Sequence, residues 1–103
     1  MKLRQIQQLI VGVDPQAQHY ENTKDGSDYT VWMEYQRTGL SADDEGEEGW
    51  KFEIDRFTKQ EYDPVAEALE NALKADPRIA FTYNVDYEQE TGYIRHLFDC
   101  VGA

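Results

Sequence analysis

Cysteine is almost missing from this 103-residue chain: Cys100 stands alone. No disulfide can form within it, and the logic of small, disulfide-stapled secreted scaffolds does not apply. Histidine is nearly as scarce, with only His19 and His96. Zinc needs several Cys or His ligands at short spacing, and no such grouping occurs. There is no Gly-rich phosphate loop and no serine elbow. Basic residues are outnumbered, 10 Lys and Arg against 21 Asp and Glu, for a formal charge of −11. That field repels phosphate backbones and anionic lipid alike. Specific nucleic-acid binding and membrane association are therefore not expected, and basic or neutral protein surfaces remain as partners. No apolar run is long enough to span a bilayer. The segment from Met1 to Val11 starts basic, but glutamines interrupt it and no small-residue cleavage site follows. It does not read as a signal peptide, and the expected compartment is the cytoplasm.

What is present suffices for one folded domain over residues 1–103. The hydrophobic share of 40% and aromatic share of 13% argue against disorder. A chain of this size buries ~60–70% of the surface that its unfolded form exposes. That supports a core but leaves little to wall off a deep, dry catalytic cavity.

Leu3, Ile6, Leu9, Ile10 and Val13 recur at helical spacing between Arg4, Gln5, Gln7 and Gln8, which predicts an amphipathic helix over residues 2–11. Gly12 and Asp14-Pro15 end it. His19-Tyr20-Glu21 reads as a short edge strand, and 22–28 as a polar loop around Gly26. Residues 29–36 alternate, with Tyr29, Val31, Met33 and Tyr35 on one side and Thr30, Trp32, Glu34 and Gln36 on the other, so they form a strand. A second strand, 50–57, sets Trp50, Phe52 and Ile54 against Lys51, Glu53 and Asp55. The long charged loop 37–49 joins the two as an antiparallel pair.

Asp63 can cap a helix whose first position suits Pro64, and the charge of Glu67 favours its first turn. Val65, Ala68, Leu69, Ala72 and Leu73 line one face through residue 75, and Asp76-Pro77 stops the helix. Ile79, Phe81, Tyr83, Val85 and Tyr87 alternate with polar or small residues over 79–87. After a turn at 88–92, residues 93–100 place Ile94, His96, Phe98 and Cys100 on a shared face, completing a hairpin. The expected fold is α+β: a four- to five-stranded, mostly antiparallel sheet with two helices packed on one face. The connection through the second helix allows a parallel pair.

Few residues offer chemistry. His96, between Ile94 and Phe98, reads as a partly buried structural histidine. His19 has no partner motif, and Cys100 has no basic neighbour to lower its pKa, so it reads as an inert, half-buried thiol. Asp43, Asp44, Glu45, Glu47 and Glu48 form the sharpest local cluster. Their spacing does not match a calcium loop, and a solvated hairpin tip that resists edge-to-edge aggregation explains them. The aromatics exceed what one face of a small sheet can bury, and such side chains favour protein interfaces. Trp32, opposite the Val31/Met33 face, is the leading interface candidate, with the acids of 43–48 beside it. No catalytic residue, cofactor or metal ligand is identified. A pocket bringing His19 or His96 to a carboxylate or a metal would count against this view.

Several segments resemble the tail-terminator proteins (also called tail-completion or minor capsid proteins) of long-tailed bacteriophages and prophages. They are Tyr29-Thr30-Val31-Trp32-Met33-Glu34, Ala42-Asp43-Asp44, Asp55-Arg56-Phe57-Thr58-Lys59, Glu61-Tyr62-Asp63-Pro64-Val65 and the hairpin Val85 to His96. The resemblance implies a structural virion protein that forms a hexameric ring, ends tail-tube polymerisation and joins tail to head. Its implied partners are the tail-tube protein and a head-completion or connector protein. The protein would be cytoplasmic in the bacterial host and part of the virion tail when assembled. A carboxylate-lined lumen would let DNA slide past without sticking. The alternative is an acidic protein-binding module, such as a DNA-mimic inhibitor.

Overall fold

The computed structural model describes residues 1–21, 27–39 and 49–103. The first helix, α1 (Leu3–Val13), starts where the Gln5 side chain accepts the Lys2 N–H at 2.8 Å. Its Ile6 and Ile10, one turn apart, are buried completely. The helix ends where the Asp14 N–H closes the last turn on the Ile10 carbonyl. Two residues, β1 (Gln18–His19), then pair in parallel with β2 (Tyr29–Thr38). An antiparallel ladder joins β2 to β3 (Gly49–Thr58), with an irregularity between Glu34 and Gln36. Gly49 is required there, because a Cβ would sit 2.5 Å from the Thr38 hydroxyl and 2.6 Å from the Gly102 carbonyl.

The second helix, α2 (Pro64–Ala75), opens as the sequence predicts. The Asp63 carboxylate accepts the Ala66 N–H at 3.1 Å, and Pro64 occupies the first turn. The buried row is Ala66, Leu69 and Leu73. Ala68, expected inside, is exposed. The i, i+3, i+7 stripe is rotated from the expected one, which brings Ala66 rather than Ala68 against the sheet. Strands β4 (Ile79–Glu88) and β5 (Tyr93–Gly102) form the terminal hairpin. Gly92 closes its turn with φ +78°, a conformation that disfavours side chains.

The sheet order is β1-β2-β3-β5-β4, so this is the expected α+β architecture with two helices packed on the sheet. The parallel pair is β1–β2. It does not arise through α2: β5 inserts between β3 and β4 and is antiparallel to both. The core fills the space under the helices with Ile6, Ile10, Trp32, Phe52, Ile54, Leu69, Leu73, Phe98 and Cys100.

Candidate functional site

Two faces of one sheet meet different fates. The helices cover the row that carries Thr30, Trp32, Phe52, Ile54, Arg56, Thr58, His96, Phe98 and Cys100, all buried. No helix among the described residues lies on the opposite face, and there β2 presents Tyr29, Val31 and Met33, the more apolar of its two rows. Met33 is 42% exposed, and Tyr35, at the irregularity, 49%. The expectation for Trp32 is corrected here. It is 2% exposed and stacks on the His19 ring at 3.9 Å, so it is a core residue beneath the helices and no surface aromatic. The polar partners of its row mislead the reading: Thr30 and Glu34 look solvent-facing, yet each bonds a side chain within the fold. Asp43, Asp44, Glu45, Glu47 and Glu48 lie outside the described residues.

The open face is organised in three zones. At one end Tyr29 stacks on Phe57 at 4.7 Å, and Tyr93 meets both edge-on. In the middle, Arg95 reaches Glu53 at 3.0 Å and Asp55 at 3.2 Å. Burial, and then the neighbouring Glu53, push the Asp55 carboxyl up to about 6 despite Arg95. At the far end Tyr35 donates its hydroxyl to Asp99 at 2.6 Å. This bond, with burial adding to it, raises the phenol to about 12. A shallow cleft of about 280 Å³ opens there between Tyr35, Lys51, Thr82, Asp99 and Val101.

A buried ionic knot supports the covered face. Arg56 donates Nε–H to Asp63 at 2.8 Å and a second guanidinium N–H to the same carboxylate at 3.4 Å. It also reaches Thr30 at 3.4 Å and lies 3.7 Å from the Asp14 carboxylate. One guanidinium thus ties the end of α1, β2 and the cap of α2 to β3. The sequence signal was available, since Arg56 continues the Trp50, Phe52, Ile54 alternation into the core.

His19 has a partner after all. Its Nε2 lies 2.7 Å from Glu34, which also accepts the Tyr20 hydroxyl. Its ring is clamped between Tyr20 and Trp32 at 3.7 and 3.9 Å. Burial alone would raise the Glu34 carboxyl, but the hydrogen bonds from Tyr20 and His19 outweigh it and hold the group below the usual range. Tyr20, with φ 76°, is the described non-glycine residue in the left-handed region. The pair fastens two-residue β1 to the edge of the sheet: both ring faces are covered and Nε2 is taken by Glu34. Sequence spacing gave no warning, because the partners are 15 residues apart.

His96 is 8% exposed, and its Nδ1 shares a 2.6 Å hydrogen bond with the Tyr83 hydroxyl. Burial, with Arg56 adding to it and Asp63 opposing, lowers its pKa. Both rings border an open cleft of about 200 Å³ at the start of α2, with Tyr62, Asp63, Glu67 and Glu70, but no carboxylate of the described residues hydrogen-bonds the imidazole. Cys100 is fully buried rather than half-buried, and burial pushes its thiol up to about 12. No helix among the described residues is long and apolar enough to cross a membrane. No group of three or more His, Cys, Asp or Glu residues suited to a metal ion occurs among them. The chain matches no protein-family model and no curated protein.

Proposed function

We propose that this chain is a structural assembly protein that acts through its surfaces rather than by turnover, forming a ring of the tail-terminator kind. The observation that carries this reading is the uncovered apolar row of β2. A monomer gains nothing by presenting Met33 and Tyr35 to water, and such patches mark interaction sites. The β4–β5 hairpin adds to it: beyond Tyr83 the helices no longer cover the sheet, and Val85 and Tyr87 are each 58% exposed.

The edges of the sheet also support this reading. Its two edges differ, a two-residue β1 on one side and a ten-residue β4 on the other. Unlike edges favour head-to-tail association, which closes into a ring when the rotation per subunit allows. Many weak, symmetric contacts then hold a subunit whose pairwise affinity is modest. On this reading one ring face meets the last tail-tube ring and the other a head connector, and the chain resides in the virion tail. A DNA mimic would need a continuous carboxylate face. On the open face Arg95 and Lys51 interrupt Glu53, Asp55 and Asp99, which favours the ring.

The test is native mass spectrometry of the purified chain together with negative-stain microscopy of tails grown with and without it. Rings of defined copy number, and tails of unregulated length in its absence, are expected. Tails of normal length and joining without it would overturn the reading.

A further inference from the structure

We propose that β4, the long edge of the sheet, pairs antiparallel with β4 of a second copy of this chain, across a two-fold axis at Asn84. The contact goes beyond the ring reading and does not rest on it. It closes on itself and covers the edge in the free chain, and a head-to-tail ring would displace it.

The first observation is the direction of the backbone groups. The Ala103 N–H bonds the Arg78 carbonyl at 2.9 Å, which extends the pairing of Ile79 with Gly102 by one step. Hydrogen-bonded pairs alternate along an antiparallel ladder. Arg78 and the even-numbered residues to Glu88 therefore turn their N–H and C=O toward β5. Ile79, Phe81, Tyr83, Val85 and Tyr87 turn theirs outward. The Ile79 N–H agrees, since it bonds the Asp76 carbonyl at 3.1 Å, outside the sheet. From Phe81 to Tyr87 the outward groups meet no hydrogen-bond partner among the described residues. Edge strands are ordinarily blunted by Lys, Pro or a bulge. β4 contains neither residue and runs 10 residues beside β5 without a register shift.

The second observation is the register those groups select. Phe81 set against the second copy's Tyr87, and Tyr83 against its Val85, engages every outward N–H and C=O from Phe81 to Tyr87 on both chains. The same register mends an uneven burial. Ile79, Phe81 and Tyr83 pack against the core, whereas Val85 and Tyr87 are each 58% exposed. Pairing lays the bare half of each strand beside the packed half of the other, in aromatic and β-branched cross-strand pairs of the stabilising kind.

Charge names the occupant. On the open face this register sets Thr82 against the second copy's Asp86, Asn84 against Asn84 and Ala80 against Glu88. A hydroxyl meets a carboxylate, two amides meet each other, and no acid meets an acid. Asp86, Glu88 and Glu90 gather at the hairpin end of β4, and Arg78 stands at the other. Antiparallel pairing brings Arg78 alongside the second copy's acidic end. A parallel copy in register would set like charges side by side, at a further cost in a chain of charge −11.

The test is cysteine cross-linking of the full-length chain under mild oxidation, with sedimentation velocity and amide exchange beside it. Cys100 is buried and stays out of the reaction. Opposed residues of a non-hydrogen-bonded pair stand about 4.5 Å apart at Cα, within disulfide reach. Asn84→Cys should therefore link to itself. Thr82→Cys and Asp86→Cys, each roughly 13 Å along the strand from its own copy at ~3.3 Å per residue, should stay unlinked alone and link when mixed. The parent should sediment as a dimer, and the Phe81, Tyr83, Val85 and Tyr87 amides should gain protection as its concentration rises. Val85→Pro removes an outward N–H and none that bonds β5, and should weaken the dimer at least about tenfold. Val85→Lys, which keeps the strand, should weaken it as well. A parent that stays monomeric overturns the proposal, as does Thr82→Cys linking to itself as readily as Asn84→Cys. Protection that appears only when another protein, such as a tail-tube subunit, is added also overturns it. Rings whose Asn84→Cys chains stay unlinked would uphold the ring reading and overturn this one. A dimer linked at 84 upholds this one whether or not rings form.

Discussion

Between the strands β3 and β5 and the strand β2 the rule for what goes inside changes: the first two bury their apolar rows, Phe52, Ile54, Phe98 and Cys100, and β2 does not. On β2 the apolar row of Tyr29, Val31 and Met33 is left uncovered, while Thr30, Trp32 and Glu34 turn toward the helices. The covered face accepts polar groups because each finds a partner: Thr30 with Arg56, Arg56 with Asp63, Glu34 with His19. The open face tolerates apolar groups because water reaches them only in part and, on the proposed reading, another subunit completes the burial.

The largest effect should come from cutting the knot on the covered face. Arg56→Met leaves Asp63, whose side chain is fully buried, as an uncompensated charge. That should cost about 3–5 kcal/mol, since removing one partner of a buried pair strands the other. Urea unfolding of the variant checks it. Two adjacent residues of β2, one on each face, give the companion test. Trp32→Ala should cost about 3–5 kcal/mol by opening a cavity, and Met33→Ala under about 1 kcal/mol. Equal losses would erase the distinction between the faces. Met33→Ala should instead weaken ring formation, read by native mass spectrometry, while Trp32→Ala acts on the fold itself.

That pair also shows where reading the sequence stops. Elements and the cap at Asp63 were legible because they depend on local periodicity and turn chemistry, whereas ends shifted: α1 runs through Gly12 to Val13, and β1 is Gln18–His19 rather than 19–21. The strand at 29–36 was legible as a strand, but not its orientation. Alternation gives two rows and no sign, and here the covered row finds a polar partner in Arg56, 26 residues away from Thr30 in the chain. The insertion of β5 between β3 and β4, and the bond between His19 and Glu34, are likewise long-range facts with no local trace. His96 was read as partly buried, and at 8% exposed it is buried more deeply than that. That Glu67 and Glu70 border the same cleft as His96 was not legible, because α2 brings them there from elsewhere in the sequence.

A smaller effect separates the faces by pH. Asp55 on the open face has its folded pKa raised to about 6. The folded state therefore holds a proton that the unfolded state has released, and stability falls as pH rises from about 4 to about 6. Asp55→Asn removes the charge that burial and Glu53 resist. It should raise stability by about 1 kcal/mol at pH 8, after discounting for solvent screening. The gain should vanish near pH 4, where the native carboxyl is already protonated. A gain that persisted unchanged at pH 4 would show that Arg95 and packing, not ionisation, govern the site.

Glu34 gives the opposite sign and the smallest effect. Its folded pKa is lowered, so its contribution is fully present above the unfolded value near 4.3 and is lost as pH falls through the folded one. Glu34→Gln keeps the shape but weakens the bonds to His19 and Tyr20, at a cost of about 0.5 kcal/mol for a pair this near the surface. Global unfolding is a blunt probe for so small a change. Hydrogen exchange at the Tyr20 amide, which donates to the Trp32 carbonyl at 2.8 Å, reports directly on whether β1 stays seated. In the parent protein that amide should lose protection as pH falls through the carboxylate range, after correction for intrinsic exchange. In the variant it should be less protected at neutral pH and show no such step. If both proteins exchange alike, the ring stack of Tyr20, His19 and Trp32 holds β1 by packing alone. The covered face would then owe its edge to the same apolar contact that the open face keeps in reserve.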